Sequence, residues 1–330
     1  TIYEISTWAW LIDLSGKAGK RLTLADVPQE ELERIASYGF DGVWLMGVWE
    51  RSPGARHVAQ THPGWQETFQ KALPGYTASD VVGSPYAIRN YRVDPVLGGD
   101  EGLASLRERF QRLGLRLILD FVPNHMAIDH SWLTEQPQRL VQDGQGELQR
   151  EPANYFQVML DGQSRVFAHG RDPYFEGWPD TVQLDYRRPE TRRAMSDLLL
   201  SIADRCDGVR CDMAMLLTRE VFLRTWGGAF DPAEAEFWPA AITDLKARYP
   251  GILMMAEVYW DMEWKLQQQG FTYTYDKRLY DRMSHGDIQA VRGHLMADMD
   301  FQQHLARFIE NHDEPRAAEE FGIERSQAAA

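Results

Sequence analysis

Short runs of large apolar residues alternate with amphipathic stretches along the chain. "YEISTWAWL" reads as a first strand, and "ADVPQEELERIASYG" as a helix that opens with Asp26 three residues before Gln29 and stops at Gly39. The run "GVWLMGV" (42 to 48) is a second strand. In "GDEGLASLRERFQRLG", Leu103, Leu106, Phe110 and Leu113 fall on one helical face between an Asp100 cap and a Gly114 stop, and the chain then enters "LRLILD", a third strand. The same alternation predicts a helix near 188 to 205, strand "DGVRCD", a helical region near 217 to 248 and strand "ILMMAE". A short helix around 261 to 269, strand "FTYTY", a helix near 284 to 300 and strand "ARFIEN" complete the series.

Apolar strands that alternate with amphipathic helices predict βα units on a parallel sheet. Four of these runs finish on carboxylates, in "LRLILDFVPNH", "CDGVRCD", "GILMMAEVYW" and "FIENHD". Chemistry at several strand ends favours a TIM-type (β/α)8 barrel over a doubly wound sheet, and no GxGxxG or P-loop is present. Only seven strands are counted, so the barrel is expected to stay open between the first and seventh and the chain to be a portion of a longer protein. Two connections are long, 49 to 99 and 126 to 186. The second, rich in Pro, Gly and aromatics, is expected to be an insertion over the site, leaving 1–125 and 187–330 as the barrel.

Composition narrows the partners. Lys plus Arg (35) against Asp plus Glu (49) gives −14, an acidic surface that repels polyanions, so nucleic acid and anionic membrane are not expected partners. No apolar stretch approaches the roughly 20 residues of a membrane span. Cys206 and Cys211 lack the spacing of a zinc site and read as buried thiols. No signal peptide is visible, which suits a cytoplasmic protein, although the chain begins at Thr1 and a leader could have been removed. Aromatics sit among polar and Gly/Pro residues at Trp49, Trp65, Trp178 and Trp260, and such rings serve cores and sugar faces equally well. His57, His62, His285, His294 and His304 read as surface residues.

Two carboxylates stand out. In "GVRCD" the period of two puts Arg210 beside Asp212, which favours an ionised Asp212 and suits a nucleophile. Glu257 follows Ile252, Leu253, Met254, Met255 and Ala256, a desolvating context that raises a carboxyl pKa and suits a general acid. One ionised and one protonated carboxyl facing a pocket equip a retaining glycosidase, in which about 5–5.5 Å separates them.

"DFVPNH", "GVRCDMA", "AEVYW" and "FIENHD" are similar, in order and spacing, to the four short motifs of the α-amylase family of glycoside hydrolases, family 13. "SPYAIRNYRVDPVLGG" and "WPDTVQLDY" extend the resemblance over nearly the whole chain. It implies Asp212 as nucleophile, Glu257 as general acid/base and Asp313 as a third carboxylate that binds sugar hydroxyls. It further implies that Arg210, His125 and His312 contact the sugar, that Tyr86 stacks beneath it, and that Asp120 and Asn124 hold the third strand's end. Trp260, next to the acid, is a further candidate for sugar contact. No cofactor is required by this chemistry. Asn124 is the position where many members bind a structural calcium, but Met215 and Leu216 stand where many calcium-dependent members have a Lys-His pair. The expected substrate is a maltooligosaccharide or related α-glucoside, cleaved by water or transferred to another sugar. A metal-dependent hydrolase would need an H-x-H or H-E-x-x-H cluster, which is absent. A non-catalytic carbohydrate-binding protein on the same fold is the remaining alternative.

Overall fold

The computed structural model describes residues 1–232 and 235–329. Its centre is a parallel sheet of seven strands that neighbour one another in chain order: β1 (Ile2–Ser6), β2 (Gly42–Met46), β3 (Arg116–Phe121), β4 (Gly208–Cys211), β5 (Leu253–Ala256), β6 (Tyr273–Tyr275) and β7 (Leu305–Ala306). Strands β3 and β4 are buried along nearly their whole length, as expected for a sheet covered on both faces. Outer helices pack Leu103, Leu106 and Phe110 from Gly99–Arg112, and Met195, Leu199 and Ile202 from Pro189–Ala203, into one continuous core. This is the wall of a (β/α) barrel with seven staves. Among the described residues β1 pairs only with β2 and β7 only with β6, and a cavity of ≈ 1370 Å³ is lined by residues of both edges.

Local structure departs from the sequence pattern in five places. The first strand stops at Ser6, and "TWAWL" begins the helix Thr7–Ala18, because its apolar residues continue at helical spacing, with Leu11 and Leu14 buried. Asp26 caps the short turn Leu24–Asp26 through Thr23, whereas the helix Gln29–Ser37 starts after Pro28 with no side-chain cap. The seventh strand is only Leu305–Ala306. With a single neighbour it runs out at the bond from Asp276 N–H to the Ala306 carbonyl, and Phe308 packs instead on Tyr275 and Tyr280. The expected helix near 284 to 300 is divided into Ile288–Leu295 and Met299–Gln302, preceded by Lys277–Ser284. His294 is not a surface residue: it is buried and lies 3.0 Å from Asp276.

The two long connections both build structure at the C-terminal ends of the strands. Residues 49 to 99 hold an antiparallel pair, Trp49–Arg51 with Ile88–Val93, and two helices, Pro53–Thr61 and Pro63–Ala72. Residues 126 to 186 hold a three-stranded antiparallel sheet of Gln142–Asp143, Gln163–Ala168 and Tyr155–Leu160. Its return strand Thr181–Gln183 pairs with His125–Ala127. No described helix is long and apolar enough to cross a membrane.

Candidate active site

Strand register assembles the centre. Cys211 on β4 faces Ala256 on β5, so the next residues, Asp212 and Glu257, leave adjacent strand ends at matching positions. Neighbouring strands lie about 4.8 Å apart, which brings the two carboxyls side by side. The Glu257 N–H donates to the Cys211 carbonyl and the Asp212 N–H to that of Phe121, so both residues are still held by the ladder. Met213 then adopts a left-handed conformation (φ 43, ψ 45), uncommon for a non-glycine residue, and its N–H donates to Glu257 Oε2 at 2.7 Å.

Arg210 lies fully buried between the carboxylates. Its Nη1 donates to Asp212 Oδ1 at 2.8 Å, its Nε donates to the Tyr275 hydroxyl at 3.2 Å, and its guanidinium lies over the rings of Trp44 (4.9 Å), Tyr86 (5.4 Å) and Tyr275 (5.6 Å). Nη2 lies 2.8 Å from Glu257 Oε2 but is not aligned for a hydrogen bond. Asp212 is therefore oriented by a directional bond, and Glu257 by charge contact, the Met213 N–H and the Tyr259 hydroxyl at 2.8 Å. Asp120, 3.8 Å from Arg210, accepts from Trp44 Nε1 and the Gly47 N–H, both at 3.1 Å, which ties the ends of β2 and β3 together.

Electrostatics reverse one expectation. Arg210 does not hold the Asp212 carboxyl in the ordinary acidic range: burial, and then the negative Glu257, push it up to about 8 against the pull of Arg210. Burial likewise raises Asp120 to about 6.

The remaining predicted residues converge on the same place, with one exception. Tyr86, His125, Asp212, Glu257, His312 and Asp313 line a single cavity of ≈ 720 Å³. His312 is gripped from three sides: Nδ1 lies 2.6 Å from Glu4 Oε1, and Nε2 lies 2.9 Å from the Tyr86 hydroxyl and 3.2 Å from Asp313 Oδ2. Burial alone would lower its pKa, but the Glu4 bond and the Asp313 charge outweigh it and raise it. Asp313 is half-exposed, and burial, opposed by His312, raises its carboxyl. Asn311 bends the chain here by accepting the N–H groups of Asp313 (2.9 Å) and Glu314 (3.0 Å). His125 is buried, which lowers it to about 4, and its ring lies 5.1 Å from Trp178. Gly170 permits that contact, since a Cβ there would stand 2.8 Å from the His125 Cβ. Trp260 does not line the cavity; its ring packs edge-on against Tyr174 at 4.9 Å. Trp49 is core, its Nε1 donating to the Asp120 carbonyl at 2.7 Å.

Glu4, Tyr259, Tyr275 and Asp180 were not singled out as site residues by the sequence pattern, and Trp178 was named only as a ring that serves a core or a sugar face equally well. A charged residue inside the first apolar strand was the available signal for Glu4, which pairs in register with Trp44.

At Asn124, the position where many members of the resembled family bind calcium, the neighbouring oxygens converge on an amide nitrogen. The Gln183 amide nitrogen donates to the Asn124 carbonyl (2.9 Å), Asn124 Oδ1 (3.1 Å) and the Leu184 carbonyl (3.0 Å), so an uncharged donor sits where those oxygens converge. No described group of three or more His, Cys, Asp or Glu side chains is arranged to hold a metal. Calcium takes carbonyl as well as carboxylate oxygens, but here the Gln183 amide nitrogen already occupies the converging oxygens, so these residues as arranged do not fit a calcium ion.

A parallel (β/α) barrel sheet thus carries paired carboxylates at the ends of β4 and β5. The model for the alpha amylase catalytic domain matches residues 29–330, and the chain belongs to that family. It is 25% identical over 298 residues to Maltase 1 of Drosophila virilis, covering 74% of this chain and 46% of the relative. It is 23% identical over 312 residues to Alpha-amylase MalA of Haloarcula japonica, covering 92% and 38%. The chain thus spans less than half the length of these curated relatives. Among solved structures, an alpha-amylase from Lactobacillus plantarum superposes with a TM-score of 0.62 at 23% identity, covering 97% of this chain and 64% of that one. A maltogenic alpha-amylase, AmyB, from Thermotoga neapolitana gives 0.61 at 21%, covering 97% and 61%. Identities of this size show the shared fold.

Proposed function

We propose that this chain carries the catalytic centre of a retaining enzyme that cleaves or transfers α-glucosidic bonds of maltooligosaccharides or related α-glucosides. The observation that carries the reading is the convergence of Asp212, Glu257 and Asp313 on one cavity, with Arg210 hydrogen-bonded to the first. Family membership and the maltase and amylase relatives support it.

In the proposed first step an Asp212 oxygen attacks the anomeric carbon, the bond to the glycosidic oxygen breaks, and Glu257 gives that oxygen its proton. A glycosyl ester on Asp212 results. In the second step Glu257 takes a proton from water or a sugar hydroxyl, whose oxygen attacks the same carbon and frees Asp212. Glu257 Oε2 is engaged by Met213 and Arg210, so Oε1, which among the described residues accepts only the rotatable Tyr259 hydroxyl, is the oxygen that would turn toward substrate. The reaction starts with Asp212 ionised and the proton on Glu257: the burial that raises the Asp212 carboxyl to about 8 opposes this state, and the Arg210 bond favours it. Asp313 and His312 would hold hydroxyls of the reacting ring, with Tyr86 beneath it. None of these steps is routed through a metal ion, and the Gln183 amide bond to Asn124 supports that reading.

Product analysis of the complete protein with maltoheptaose, beside Asp212→Asn, tests the reading. Shorter products indicate hydrolysis, shorter and longer ones together indicate transfer, and the variant should give neither. Affinity without turnover by the wild type would support a non-catalytic binding protein instead.

A further inference from the structure

His312 is a shared wall between two cavities. It lines the catalytic cavity with Tyr86, Asp212, Glu257 and Asp313, and it also lines the ≈ 1370 Å³ cavity that opens between the unpaired edges of β1 and β7. Glu4 lines the second cavity and not the first, so it stands on the far side of the imidazole from a ligand held at Asp212. Its side chain, 23% exposed, comes from the middle of β1 between Tyr3 and Ile5, where an apolar residue would serve the strand better. Among the described residues the Glu4 carboxylate accepts one hydrogen bond, from His312 Nδ1 at 2.6 Å, and that partner is 308 positions away.

Aromatic neighbours confine the His312 ring to one plane without choosing its orientation. It stacks on Tyr86 at 5.6 Å between centroids and meets Trp44 edge-on at 5.5 Å, contacts that survive if the ring turns over. Glu4 breaks that symmetry. An ionised carboxylate only accepts, so Nδ1 carries a proton and points to β1, which leaves Nε2 facing the Tyr86 hydroxyl at 2.9 Å and Asp313 Oδ2 at 3.2 Å. With the ring turned over, the carboxylate would lose its partner and a carbon would face Asp313. The charges around the ring agree: burial and Arg210 lower the imidazole pKa, but the Glu4 bond and the Asp313 charge outweigh them.

We propose that Glu4 is a positioning residue, which fixes the edge of the His312 ring that faces the catalytic cavity and so aims Nε2 at the sugar held there. The inference rests on the glycosidase reading of the site. Its rival is a plain latch, in which the same bond ties β1 to the segment after β7 across the open seam and leaves turnover alone.

A mutant cycle on the complete protein separates the two. kcat/KM on maltoheptaose is measured for wild type, Glu4→Gln, Glu4→Ala, His312→Ala and the double variant, and imidazole nitrogen NMR spectra are recorded for wild type and both Glu4 variants. Glu4→Ala is expected to lower kcat/KM about tenfold, and Glu4→Gln, whose amide oxygen still accepts from Nδ1, about threefold. In the His312→Ala background Glu4→Ala should cost no more than about twofold, because a residue that acts through His312 has nothing left to act on. In the spectra of the neutral ring, Nδ1 should carry the proton in wild type and Glu4→Gln and lose that preference in Glu4→Ala. Glu4→Gln keeps the shape of the side chain, so the cycle is run with it where Glu4→Ala does not fold. Equal losses with and without His312, as a latch that merely steadies β1 would give, overturn the proposal. Unchanged turnover in both Glu4 variants overturns it too, as does a neutral wild-type ring protonated at Nε2. An active wild type with any of these results removes the inference alone, whereas a wild type that turns over no maltoheptaose removes the proposed function and the inference with it.

Discussion

The floor and the far wall of the cavity are built in opposite ways. On the floor, Arg210, Asp120, Asp212 and Glu257 are buried and tied to one another and to main-chain donors. On the wall, Trp65 and Phe69 stand half-exposed on a ten-residue helix, and the buried Asp180 has its carboxyl raised to about 6 by burial. The floor is carried by a parallel ladder whose register leaves each side chain one place to go. The wall is carried by insertions, which vary in length without disturbing that ladder. A barrel can therefore keep one chemistry fixed while the insertions choose what reaches it.

The largest effect should come from breaking the floor at its nucleophile. Asp212→Asn is expected to lower kcat by about four orders of magnitude, as loss of a covalent nucleophile commonly does, measured by oligosaccharide release. The same variant should gain stability relative to wild type. A carboxyl raised from 3.8 to about 8 favours the folded state when protonated, so its contribution is present at low pH and lost as pH climbs from about 4 to about 8. Urea titrations should show the margin of Asp212→Asn over wild type widening across that window; a margin that narrows as pH rises would contradict the raised pKa.

Next in size, Arg210→Met should cost about 3–5 kcal/mol at pH 7, because it strands Asp212 and Glu257 as unpaired buried charges. Acidification should return part of that loss by protonating Asp212. A constant deficit between pH 5 and pH 8 would mean that packing of the guanidinium on Trp44, Tyr86 and Tyr275 matters more than its charge.

A smaller effect is expected where the insertion meets the barrel. Gln183→Ala removes the donor shared by Asn124 and Leu184 and should cost about 1–3 kcal/mol, read from the denaturation midpoint. Chelation with EDTA should leave the wild-type melting temperature unchanged; a clear drop would show that a cation competes for those oxygens. Smallest of all, Glu4→Gln weakens the bond that raises His312, so the imidazole pKa should fall, as followed by proton NMR. Stability from that contact is fully present below the unfolded pKa of about 6.5 and fades as pH rises through the folded value, so the variant's deficit should be larger at pH 5 than at pH 9.

Much of this arrangement was legible in the chain. Every strand of the barrel lies within an apolar run, and Asp212, Glu257 and Asp313 end or follow such runs because a strand must leave the sheet where chemistry is exposed. Strand limits were less legible: "TWAWL" is apolar enough for a strand, and only its helical packing of Leu11 and Leu14 decides the matter. The Arg210–Asp212 neighbourhood was visible too, but its electrostatic result was not, since Glu257 arrives from another strand and burial outweighs the nearby positive charge. Trp260 and Trp178 looked alike in sequence, yet only Trp178 faces the cavity.

By itself the sequence determined periodicities: strands that alternate with helices, the face shared by Arg210 and Asp212, the chemical types at the strand ends and the acidic surface. These depend on residues a few positions apart, whose relation is fixed by local backbone geometry. Only the tertiary structure decided that Glu4 meets His312 across 308 positions, that the Gln183 amide sits against Asn124, and that Asp180 and Trp65 share a wall. Those relations depend on strand register and on where insertions fold back. Register is set by packing over the entire sheet, so no single segment contains it.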